Sequence, residues 1–365
     1  MHRIHQSPKD MEKYVDRCVK NDSFSPELFK KYGVKRGLRD VDGSGVLTGL
    51  TDISKVEGSV YINGKKTPAE GRLWYRGYSI EDLVSGLRGN GYAFEEAAYL
   101  LLFGDLPGKK DLKEFSELLE RLAVLPRNFI RDVIMKAPTP DLMNSMTRSV
   151  LTLASYDDSV IKETDLDAQL LQCLKLIAVM PMLAVYGYHA YNYYSNLESM
   201  YIHRPKKNLS VAENLLAMLR PDRSYTELEV EVLDIALLLH MEHGGGNNST
   251  FTTRVITSSG SDTYSTMAAA LCSLKGPKHG GANIKVVNMM DDIKKHLGKR
   301  YSEGELADYL TKILEGEAFD KKGLIYGMGH AIYSKSDPRA TVFRQFVEEL
   351  ASEKGRFQEF KLYSS

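Results

Sequence analysis

LEVEVLDIALLLHMEHGGGN, residues 228–247, decides how the rest of this 365-residue chain is read. Leu228, Val232, Ile235 and Leu239 recur at helical spacing and give one apolar stripe. Gly244, Gly245 and Gly246 then predict the helix end, since glycine takes left-handed backbone without steric cost. The stretch reads as a core helix that delivers His240, Glu242 and His243 to a glycine-rich loop.

Outward from it the helical pattern repeats. Leu166, Leu170, Leu174 and Ile177 form a second stripe, which Pro181 should kink. Phe94 to Phe103 is a dense apolar segment closed by Gly104 and Pro107. Ser79 with Asp82 predicts a helix start, and Ser302 with Glu305 a capping box ahead of Ala307, Leu310, Ile313 and Leu314. The β signal is confined to one place. Val60, Tyr61 and Ile62 run into Asn63-Gly64, which favours a type I′ turn, and Leu73-Trp74-Tyr75 supplies the return strand. The fold expected is mainly α with a small N-terminal β-hairpin at about residues 56–76, after an N-terminal arm over 1–35. Gly276-Pro277 marks the passage from a large helical domain, 1–275, into a small domain, 276–365.

Apolar residues make up 43% and charged residues 26%, enough to bury a large core. Lysine plus arginine balances aspartate plus glutamate, 48 against 48, which weighs against nucleic acid or an anionic membrane as partner. Three scattered cysteines, Cys18, Cys173 and Cys272, suit a reducing compartment, and the start of the chain has no apolar signal region. The longest apolar stretch, Leu176 to Gly187, falls short of the ~20 residues a membrane span needs. A cytoplasmic location is expected.

Several motifs fail on inspection. Gly43, Gly45 and Gly49 are spaced one residue too long for a dinucleotide fingerprint. His243 with its three glycines resembles a lipase oxyanion motif, but GxSxG is absent. His240 and Glu242 match the start of a zinc-deaminase motif without the PCxxC. His240, His243, His279 and His330 lack carboxylates or cysteines at ligand spacing, so no metal site is expected.

Three histidines beside glycines remain: His243-Gly-Gly-Gly-Asn247, Gly276-Pro-Lys-His279-Gly-Gly and Gly327-Met-Gly-His330, with Asp337-Pro-Arg339 close behind. A histidine at a helix C-terminus is favoured as imidazolium, which suits His243 to an anionic ligand. His279 precedes an expected helix, Ala282 to Leu297, whose positive end favours a neutral imidazole that donates to a carbonyl becoming an enol. Arg339 offers a planar fork for a carboxylate. Together they point to carbonyl chemistry on a small carboxylic acid.

These segments closely resemble citrate synthase. The likeness covers nearly the whole chain: GLTDI (49–53), LWYRGY (73–78), AYLLLFG (98–104), GPKHGGAN (276–283) and GMGHAIYSKSDPRA (327–340). The bacterial type, including 2-methylcitrate synthases, is the most similar. The resemblance implies a two-domain helical homodimer that condenses acetyl-CoA with oxaloacetate and hydrolyses the thioester to citrate and CoA, with no resident cofactor. It implies that His279 and His330 are catalytic and that His243, Asn247 and Arg339 hold oxaloacetate. Leu324, Ile325, Tyr326, Gly327, Gly329 and Lys335 would meet CoA. Glu242 stands where the family has aspartate. The family's catalytic base is an aspartate well beyond the DPR motif, whereas this sequence stops at Ser365, so impaired turnover is expected. Propionyl-CoA as the acyl donor, or a non-catalytic relative that only binds carboxylate or CoA, stay open.

Overall fold

The computed structural model describes residues 26–33, 51–157, 166–277, 279–298, 301–328, 332–333 and 335–364. The chain divides into two compact units, residues 1–48 and 49–365. Helix α1, Pro26–Lys31, belongs to the first. Residues 1–25 and 34–35 of the expected arm, Cys18 among them, lie outside the described residues.

The second unit opens with the hairpin. Strands β1, Ser54–Ile62, and β2, Lys65–Tyr75, pair antiparallel, with Ser54 opposite Tyr75 and Ile62 opposite Lys65. Asn63 and Gly64 both take positive φ, 51° and 76°, as a type I′ turn requires. A short strand β3, Tyr78–Ser79, pairs with the end of β2. Ser79 then caps helix α2, Ile80–Leu87, by accepting from the Asp82 N–H.

Helices follow one another: α3 (Ala93–Phe103), α4 (Lys109–Leu122), α5 (Leu142–Leu153), α6 (Leu166–Ser195), α7 (Val211–Leu219) and α8 (Glu227–Leu239). Then come α9 (Asn248–Thr257), α10 (Thr263–Leu274), α11 (Asn283–Leu297), α12 (Glu303–Leu314), α13 (Pro338–Glu353) and α14 (Phe357–Ser364). The mainly helical expectation holds. Capping boxes start α7, α8 and α12, the last at Ser302 and Glu305 as the sequence indicates.

The first core joins Leu73 and Tyr75 of β2, Ile80 to Leu87 of α2, Ala93 and Leu100 of α3, Phe346 of α13, and Val232, Ile235 and Leu239 of α8. The apolar stripe of residues 228–239 is therefore the side of α8 that meets the hairpin. A second core gathers α5, α6 and α10, and a third gathers α11, α12 and Leu362 of α14.

One expectation is corrected, at the end of α8. Helix α6 runs for 30 residues through Pro181, so by length and composition it could cross a membrane, with mean hydropathy 1.7 in its most apolar window. It serves as core instead, with 44% of that window buried inside the protein. Helix α8 ends at Leu239, one turn before the glycines, because the His240 N–H closes a tight turn onto Leu237 and the Tyr75 hydroxyl donates to the Leu238 carbonyl. His243 thus lies beyond the turn in which the helix dipole acts, which weakens the dipole argument for its imidazolium.

Candidate active site

The loop after α8 is held by the hairpin. The Tyr75 hydroxyl lies 2.9 Å from the Glu242 carbonyl and accepts from the Glu242 N–H at 3.2 Å. Burial drives the Tyr75 phenol well above its usual pKa, so it stays a donor at every ordinary pH. Ser54 donates to Glu242 Oε1 at 2.9 Å and accepts from the Gly244 N–H at 3.1 Å. Gly244 takes a φ of 77°, and a Cβ there would meet Val56 at 2.9 Å, so glycine is required twice over.

His243 stands in this loop with its ring edge-to-face against Tyr333, centroids 5.2 Å apart. Tyr333 is buried, and burial together with the Asp337 charge pushes its phenol to about 12. Four residues on, Asp337 caps α13 and pairs side-on with Arg339, Oδ1 with Nε at 3.0 Å and Oδ2 with Nη2 at 2.6 Å. Burial alone would raise the Asp337 carboxyl. The Arg339 hydrogen bonds and charge, with the nearby His243 contributing, outweigh it and hold the carboxyl below its usual range. The side-on pair uses Nε and Nη2 of the guanidinium.

Asn247 caps α9. Its Oδ1 accepts from the Thr250 N–H and the Ser249 hydroxyl, both at 2.8 Å, and its Nδ2 donates to the Gly244 carbonyl at 3.0 Å. The Ser249 hydroxyl lies 3.2 Å from His279 Nε2. Burial lowers the His279 pKa, which favours a neutral ring able to donate. His279 precedes a 3₁₀ turn, Gly280–Ala282, that leads into α11.

The structure thus gathers His243, Asp337 and Arg339 around Tyr333 and ties the His243 loop to His279 through Asn247 and Ser249. Leu324 is exposed, Ile325 and Tyr326 pack on the third core, and the Tyr326 hydroxyl donates to Asp320 at 2.7 Å. Gly327 has a φ of 88° and Lys335 is exposed. Gly329 and His330 lie outside the described residues. His240 is exposed, its Nδ1 2.6 Å from the Ala236 carbonyl.

Sequence reasoning missed Ser54, Tyr75, Ser249 and Tyr333. For Tyr75 a signal existed, since Leu73 and Tyr75 alternate onto the buried face of a strand. For Ser54 none did.

A model of the citrate synthase C-terminal domain matches residues 41–365. The chain belongs to the citrate synthase family. It is 32% identical over 324 residues to a citrate synthase of Corynebacterium glutamicum, covering 87% of this chain and 68% of that protein. It is 31% identical over 325 residues to 2-methylcitrate synthase 1 of the same organism, covering 87% and 74%. Among solved structures, citrate synthase from Pyrobaculum aerophilum superposes with a TM-score of 0.71 at 27% identity, over 90% of this chain and 77% of that one. The Thermoplasma acidophilum citrate synthase, in ternary complex with carboxymethyl coenzyme A and oxaloacetate, gives 0.70 at 27% identity, over 87% and 74%. The membership makes this chain a condensing enzyme of the transferase class.

Proposed function

We propose that this protein condenses acetyl-CoA with oxaloacetate and hydrolyses the resulting thioester to citrate and CoA. The observation that carries the reading is the hydrogen-bonded route from the His243 loop through Asn247 and Ser249 to a half-buried, neutral-leaning His279. In this reading the His279 ring donates to the thioester oxygen as the methyl group loses its proton and the enol forms. The enol carbon attacks the keto carbon of oxaloacetate, whose oxygen His330 polarises. His243 and Arg339 hold the carboxylates, with Asn247 fixing the loop between them. Leu324 to Gly327, Gly329 and Lys335 meet CoA. The proton acceptor is assigned to no residue of this chain, and the comparisons lend no support to the expectation of impaired turnover. The protein acts as a cytoplasmic homodimer and needs no resident cofactor.

Acetyl-CoA ranks ahead of propionyl-CoA, although one methylene shifts discrimination by only about 1–3 kcal/mol. Relatives of both names support the reaction class equally. The test is thiol release measured with each acyl-CoA, with and without oxaloacetate. Expected are release that depends on oxaloacetate, a higher kcat/KM for acetyl-CoA, and a roughly 10²–10⁴-fold lower kcat in His279→Ala. Absence of oxaloacetate binding would sink the reading, and a propionyl preference would reverse the ranking.

A further inference from the structure

We propose that Ser54 and Glu242 are positioning residues that set His243 for a keto-diacid, an inference that rests on the function just given. The loop carrying His243 lies past the end of α8 and so lacks the helical ladder that would fix it. Ser54 supplies the missing restraint on both sides of the histidine. Its hydroxyl donates to the side chain of Glu242, the residue before, and accepts from the backbone of Gly244, the residue after.

The strand register makes this a device rather than a lone contact. Ser54 stands directly opposite Tyr75, so both side chains project from the same face at the open end of the hairpin. Tyr75 holds the backbone of Glu242, and Ser54 holds its carboxylate. Strand β2 also grips the segment before Arg339. The Gly71 N–H donates to Ser336 Oγ at 3.2 Å, the Tyr333 hydroxyl donates to the Arg72 carbonyl at 3.4 Å, and Ser336 donates to Glu70. The His243 loop and the segment before Arg339 are thus both referenced to the one hairpin.

Titrating oxaloacetate calorimetrically into the whole chain tests this, with ligand-free melting recorded for Ser54→Ala, Ser54→Thr, Glu242→Ala and Glu242→Gln. Threonine keeps the hydroxyl and glutamine keeps the acceptor, so both should bind as the unsubstituted protein does. The two alanine variants should bind about tenfold more weakly while folded, the loss expected for one hydrogen bond that orients a binding group. Unchanged affinity in the alanine variants would overturn the positioning role alone. Lowered melting with unchanged affinity would do the same, as would failure of the threonine and glutamine variants to bind. If the unsubstituted protein did not bind oxaloacetate, the functional reading would fall first.

Discussion

Glu95 is the residue whose chemistry is least like its surface kin. It is 2% exposed, in the first turn of α3, and its Oε1 accepts from the Val211 N–H at the start of α7 at 2.8 Å. Its Oε2 has no hydrogen-bond partner among the described residues. Asp234 of α8, also buried, accepts the Ala93 and Phe94 N–H groups beside it. Burial, with Asp234 and Glu213 adding repulsion, outweighs the Val211 hydrogen bond and lifts the Glu95 pKa to about 8. The folded state therefore keeps a proton that the unfolded chain releases above the ordinary carboxyl pKa of about 4.5. Stability from this group is full below about pH 4.5 and drains away as pH rises through 8, a span worth on the order of a few kcal/mol. Glu95→Gln, which stays neutral, should flatten the fall in urea-unfolding free energy between pH 5 and 8. An unchanged slope would show that Glu95 is ionised in the folded protein.

At the scale of elements, the hairpin is small but everything at the site leans on it. A Cβ at Gly71 would lie 2.2 Å from the Ser336 carbonyl oxygen and 2.9 Å from Pro338. A Cβ at Gly58 would lie 2.3 Å from the Ile332 carbonyl oxygen. The two carbonyl oxygens are backbone atoms, which cannot swing aside, so Ile332 and Ser336 approach the strands this closely only because residues 58 and 71 are glycine. Gly71→Ala should push that segment away, lowering the melting temperature and weakening oxaloacetate binding together. A variant that melted and bound normally would refute the close approach. The elements themselves were legible in the sequence: Asn63-Gly64 gave the turn, and the 228–239 stripe gave α8 and its buried side. What they hold was not. Ser54 meets Glu242 across 188 residues of sequence, and no local periodicity encodes such a pairing. Nor does anything local mark Gly58 and Gly71 as points of close approach.

For the whole molecule, the segment after residue 276 does not keep to one core. Helices α11, α12 and α14 build the third core, while α13 returns to the first and packs against α8, α2 and β2. The sequence does not show this, since Phe343, Phe346 and Leu350 recur at helical spacing but spacing does not say which core they enter. Its anchor is Phe346, fully buried among Leu73, Ile80 and Ile235's neighbours, with the Arg88 guanidinium 4.7 Å above the ring. Arg88 is itself clamped by Glu231 of α8 and Glu349 of α13, so the anchor carries a charged lid. Because α13 begins at Pro338, one seated ring sets the height at which Arg339 enters the site. Phe346→Ala should cost about 3–5 kcal/mol in denaturant unfolding, the usual loss for emptying a buried phenylalanine site. It should also weaken oxaloacetate binding in the fraction that stays folded, whereas Leu362→Ala, in the third core, should lower stability without that loss. Equal loss of binding in both variants would mean that Arg339 takes its place from the whole 276–365 segment and not from this anchor.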